Sequence, residues 1–84
     1  MEPEPKFPLE GRIENLDFRV ESWVDRKTDT RIRNSLQRNG VFTVEDLVAH
    51  TRREVEAIPG IGIVCTVVIE KKLRKMGLKL RNKQ

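Results

Sequence analysis

Apolar residues recur at helical spacing through most of the chain beyond residue 28, and each stretch is bracketed by residues that start or stop helices. Ile32 and Leu36 with polar neighbours predict a first helix that begins near Asp29, where Thr28 to Thr30 offer capping oxygens, and ends at Asn39-Gly40. Thr43 caps a second short helix through Val44, Leu47 and Val48, with Asp46 in a capping-box position. Thr51 and Glu54 repeat that arrangement in its stronger Thr-x-x-Glu form and open a third helix carrying Val55 and Ile58. Pro59-Gly60-Ile61-Gly62 breaks the chain sharply. A last helix runs from Gly62 to Met76 and stops at Gly77, with Leu78 placed to pack on the helix end. Short helices joined by such tight turns predict an all-α fold, a compact bundle of four short helices. Its expected core is Ile32, Leu36, Val41, Val44, Leu47, Val48, Val55, Ile58, Ile61, Ile69, Leu73 and Leu78.

The residues before the first helix behave differently. Residues 1–12 are rich in proline and acid, bury little apolar surface, and are expected to be a disordered tail. Residues 13–28 are ambiguous: Leu16, Phe18 and Val20 alternate as in an extended segment, whereas Ile13, Leu16, Val20 and Val24 also suit a helix. This segment is expected to pack on the core with Trp23 as its anchor. The helical domain then occupies 29–80 and a basic tail 81–84. With 84 residues and 37% apolar content there is room for one modest core.

Charge adds polarity to this layout. The net charge is +4, and seven basic residues fall between Glu70 and Gln84 while the first eleven residues hold three acids and one lysine. An anionic partner is therefore plausible. One cysteine, Cys65, permits no internal disulfide, and no basic start followed by an apolar run marks the chain for export, so a cytoplasmic location is expected. The apolar run Ile61 to Ile69 is far shorter than the roughly 20 residues a bilayer span needs.

Chemistry concentrates at Ala57-Ile58-Pro59-Gly60-Ile61-Gly62, which closes one helix and opens the next. Two glycines allow a tight turn, and the N–H groups at the start of the last helix can hold a phosphate oxygen: this is the helix-hairpin-helix pattern. Asn39-Gly40-Val41 makes a similar turn between the first two helices. Two hairpins would grip a nucleic-acid backbone by shape and charge. The same string also serves as a plain inter-helix turn, and the string alone does not separate the two readings.

The stretch from Arg31 to Leu80 resembles the C-terminal domain of the bacterial RNA polymerase alpha subunit. The likeness rests on Arg31-x-x-Asn34-x-Leu36, Gly40-Val41-x-Thr43-Val44-Glu45-Asp46-Leu47, Thr51-x-x-Glu54-Val55, Pro59-x-x-Gly62, Ile69-x-x-x-Leu73 and Gly77-Leu78-x-Leu80. The resemblance implies a four-helix module with two helix-hairpin-helix turns that binds the DNA minor groove upstream of promoters and docks with transcription activators. It further implies that Arg31 enters the groove, Asn34 bonds the backbone beside it and the Gly62 amide holds a phosphate. The candidate DNA-binding set is Arg31, Asn34 and Arg38, the turn glycines Gly40, Gly60 and Gly62, and Lys71, Lys72 and Lys75 of the last helix. Double-stranded DNA is the expected partner, with RNA polymerase or a transcription factor as a further one, at the nucleoid.

The departures from that family pattern carry information too. Where its members usually have Asn-Leu-Gly-Lys-Lys-Ser, this chain has Gly60-Ile61-Gly62-Ile63-Val64-Cys65. Glu21 falls where the leading segment would run into the arginine, so Val20 to Thr30 look like an insertion, and no assembly domain is present. The expectation is a divergent homologue rather than a working polymerase subunit. Gly62, Thr66, Ile69, Leu73 and Met76 share one helix face, which leaves Ile63, Val64, Val67 and Val68 on the other. Either the segment with Phe18, Trp23 and Val24 folds over them, or they form a surface for another chain. The alternative function is therefore a protein-interaction module, binding polymerase, an activator or itself, that has lost DNA binding. A third reading, the hairpin domain of a repair nuclease, lacks catalytic residues here.

No catalytic residue, metal site, cofactor or small-molecule substrate is expected. His50 sits near a helix end where carbonyls are exposed. Cys65 reads as a small buried apolar residue. Arg52 and Arg53 read as a solvated face balanced by Glu54 and Glu56.

Overall fold

The computed structural model describes residues 11–82. A short 3-10 segment, Ile13–Asn15, precedes α1 (Arg26–Arg38), α2 (Val44–Val48), α3 (Arg52–Glu56) and α4 (Gly62–Lys75). Among the described residues extended backbone pairs only at two isolated bridges, Arg12 with Thr43 and Thr51 with Arg81. The all-α class expected from the sequence is the one observed. The acidic tail falls outside the described residues as far as residue 10, and so do residues 83–84 of the basic one.

Capping explains where the helices begin. The expected boxes form at α2 and α3: the Thr43 and Thr51 hydroxyls accept from Asp46 and Glu54 N–H, and those carboxylates accept from the cap N–H groups in return. At α1 the expectation fails by three residues. The cap is Asp25, whose Oδ1 accepts the Thr28 N–H at 2.8 Å, so Thr28, Asp29 and Thr30 lie inside the helix.

That shift frees Asp29 for a different task. Its buried carboxylate accepts the Phe18 N–H at 2.8 Å and the Arg33 guanidinium at 2.8 Å, and Arg33 also donates to the Glu14 carbonyl at 3.1 Å. The leading segment is thereby tied along α1, with Ile13, Leu16, Phe18 and Val24 buried in the common core. Trp23 does not anchor this segment. A turn closed by Val24 N–H to the Glu21 carbonyl (3.0 Å) sends Val24 inward, and Trp23 is left 53% exposed. Phe18 fills the anchoring role instead.

The rest of the core largely follows the helical stripes, with Val48 and Leu78 only partly buried at its edge. Cys65, Val68, Met76 and Leu80 join it. Leu80 is drawn in because the chain beyond α4 returns to the α2–α3 junction, where Arg81 N–H donates to the His50 carbonyl at 3.0 Å. Among the described residues no helix is long and apolar enough to cross a membrane.

The turn between α3 and α4 packs directly on α1. Gly60 has φ of +92°, and a Cβ placed there would collide with the Ser35 hydroxyl. Glycine is required at this position for both backbone and space. Gly62 has φ of +68° but open space around its Cα.

Gly60→Ala should therefore cost about 3 kcal/mol and Gly62→Ala only about 1 kcal/mol, as read from urea unfolding midpoints. Ser35→Gly should recover part of the Gly60→Ala loss, and equal costs for the two glycines would contradict the close contact. A second expectation concerns acid. Backbone N–H groups hold the carboxyls of Asp25, Asp46 and Glu54 below their ordinary values. Groups lowered on folding stabilise above their unfolded pKa and lose that contribution as pH falls through the folded one. The melting temperature should thus fall as the pH drops below about 4, and Glu54→Gln should make that acid limb shallower.

Candidate nucleic-acid interface

The outward side of α1 is a cationic stripe. At 100° per residue, Lys27, Thr30, Arg31, Asn34 and Arg38 fall within one arc, and all five are exposed. Arg26, Lys27, Thr30, Arg31 and Asn34 line a shallow depression on this side. The single carboxylate within α1, Asp29, is turned inward to Phe18 and Arg33. No acid inside α1 shares this face; at its N-terminal edge the exposed cap carboxylate of Asp25 lies near enough to Lys27 to feel its charge. Lys27 and Thr30 were missed by the sequence reading. Asp25 with Thr28 was the available signal, since a cap there puts Lys27 one turn ahead of Arg31.

The start of α4 adjoins this stripe. Gly60 rests on Ser35, the neighbour of Asn34, and burial pushes the Cys65 thiol above its ordinary value, with Arg31 near enough for its charge to oppose the shift in part. α1, α2 and α3 are capped by side chains, but α4 is not, and its first turn holds no acid. Ile63 and Val64 stand here 65% and 61% exposed. Gly40 lies at the other end of the stripe, two residues beyond Arg38, where Val41 N–H bonds the Leu36 carbonyl at 2.9 Å.

The three candidate lysines lie elsewhere on α4. Lys71 is nine residues beyond Gly62, about 14 Å along the axis. It donates to Glu21 at 2.7 Å, holding that carboxyl below its ordinary value with help from Lys75. Arg19, assisted by Lys72, holds Asp17 down to about 2. The leading segment thus sets carboxylates against the positive end of α4. Gly60 packs on Ser35 of α1, the helix that carries Arg31 and Asn34, and Gly62 follows two residues on; Lys71, Lys72 and Lys75 lie farther along α4.

The four-residue apolar stripe also divides. Val68 is fully buried, so it is no part of an exposed partner surface, and Val67 is partly covered. The reason is Glu21 at Lys71, one turn from Val68, with Val24 and Phe18 in the same core: the leading segment widens the face that α4 must bury. Only Ile63 and Val64 remain open to solvent.

The remaining candidates are occupied structurally. His50 Nδ1 lies 2.7 Å from the Asp46 carbonyl oxygen. Arg52 pairs with Glu56 at 3.2 Å and approaches Glu70 at 3.7 Å, while Arg81 meets Glu54 at 3.4 Å. Among the described residues no cluster of His, Cys, Asp or Glu could hold a metal ion.

A helical module with two glycine turns and one cationic helix face is the class this geometry defines. No family model matches the chain. It is similar to DNA-directed RNA polymerase subunit alpha of Mycoplasmoides gallisepticum, with 38% identity over 71 residues, 83% of this chain and 19% of that protein. It is similar also to the same subunit of Tetradesmus obliquus, with 38% identity over 50 residues, 60% of this chain and 10% of that protein. The chain thus spans less than a fifth of the length of these curated relatives. It is a divergent homologue of an RNA polymerase alpha-subunit domain.

Val68→Ala should cost about 2 kcal/mol in urea unfolding, whereas Val64→Ala should stay within about 0.5 kcal/mol of the parent. Similar costs at both positions would contradict the division of the stripe.

Proposed function

We propose that the chain is a non-catalytic DNA-binding module linked to transcription, which holds duplex DNA by its backbone and minor groove. The observation that carries this reading is the joining of the α1 cations to the uncapped start of α4 through the Gly60–Ser35 contact. Arg31, flanked by Lys27 and Arg38, supplies positive charge to a narrow anionic groove, and Asn34 offers a donor to the adjacent backbone. The Gly62 N–H, at a helix start with no acid in its first turn, suits a phosphate oxygen. Similarity to the alpha subunit supports a place beside RNA polymerase or a transcription factor, at the nucleoid. Lys71, Lys72 and Lys75 take a lesser part in this reading, because carboxylates of the leading segment lie near them.

Backbone contact through few cations predicts a Kd of about micromolar or weaker that rises steeply with salt. In fluorescence titrations of labelled duplex, Arg31→Ala should weaken binding and lower the salt slope by about 1. Lys75→Ala should do much less. Equal binding by the parent and Arg31→Ala would refute the assignment.

A further inference from the structure

The outward face of α4 changes character along its length. At 100° per residue, Ile63, Val64, Val67, Lys71, Arg74 and Lys75 fall within one arc of about 120°, opposite Cys65, Thr66, Ile69 and Leu73, which are buried. The first half of this face presents Ile63 and Val64, 65% and 61% exposed, with Val67 partly covered beside them. The second half presents Lys71, Arg74 and Lys75, which with Glu21 line a shallow depression. Glu21 pairs with Lys71 at 2.7 Å, whereas among the described residues Arg74 and Lys75 have no ion pair. An apolar patch and a cationic one thus lie end to end on a single helix face, over about 18 Å.

We infer that this face docks an amphipathic helix of another protein, one whose apolar side chains lie on Ile63, Val64 and Val67 and whose carboxylates reach Arg74 and Lys75. Such docking is independent of DNA binding. Charge complementarity selects the occupant. Branched side chains in neighbouring positions let a second helix bury its own apolar stripe, and two cations without acids farther along call for carboxylates on that same stripe. A second copy of this chain answers badly. Packed antiparallel, each copy would press its apolar half on the other's cations and desolvate them; packed parallel, it would set the two cationic halves against each other. A duplex offers phosphates to Arg74 and Lys75, but its charge continues along its whole length, so Ile63, Val64 and Val67 would meet charge as well. Acids favour the N-terminal turns of a helix, so the partner that satisfies both halves runs antiparallel to α4, carboxylates leading and apolar residues following.

The test uses the full chain and a labelled synthetic helix of about 18 residues, with Glu on one side of its first two turns and Leu on the same side of the next two. A control peptide carries Gln in place of Glu. Binding is read by fluorescence anisotropy, with circular dichroism confirming the fold of every variant. The parent should bind the Glu peptide about tenfold more tightly than the Gln peptide. Arg74→Glu plus Lys75→Glu should remove that preference, Ile63→Gln plus Val64→Gln should weaken both peptides by about tenfold, and Arg31→Ala should change neither. Failure of the parent to bind the Glu peptide at about millimolar concentration, or binding that both double variants leave intact, overturns the inference. A parent dimer in sedimentation that Ile63→Gln plus Val64→Gln abolishes also overturns it, since the patch then belongs to a second copy. A duplex affinity that falls as far in both double variants as in Arg31→Ala overturns it too, since the face then belongs to DNA.

Discussion

The absence of a side chain at Gly60 sets the relation between the two halves of this domain. A hydroxyl of α1 occupies the space where a Cβ would lie, so the α3–α4 turn reaches α1 at backbone distance. Had the turn stood off by the width of a side chain, Arg31 and the start of α4 would belong to separate surfaces. Close packing at one residue thus assembles the candidate interface, and the left-handed backbone it needs costs glycine almost nothing.

Asp29 is the second fastening. A carboxylate taken out of water must be met by donors, and here a backbone N–H and a guanidinium meet it. The result ties the leading segment to α1 and removes the only acid from that helix's outer side. The same segment carries Glu21 and Asp17 to the far end of α4. In the linear chain positive charge gathers at the C-terminus, but in space Lys71, Lys72, Lys75 and Arg81 stand near acids, while the exposed face of α1 carries no acid inside the helix. The folded electrostatics therefore favour α1, and the turn into α4 sets two exposed apolar residues, Ile63 and Val64, at the start of that helix.

The sequence alone determined the helices, two of the three side-chain caps, the breaks at Gly40, Gly60 and Gly77, and most of the core, because these depend on hydrogen bonds and periodicity within a few residues. It also carried the kinship, through short motifs in the right order. It did not determine the start of α1, where Asp25 outcompeted Thr28 to Thr30, and a three-residue shift hid Lys27 from the candidate face. The tertiary structure decided the rest: that Phe18 and not Trp23 anchors the leading segment, that Val68 is core while Ile63 and Val64 are surface, and that Lys71 is paired. Each of those outcomes depends on which distant segment covers a helix face, and no local pattern encodes a neighbour fifty residues away.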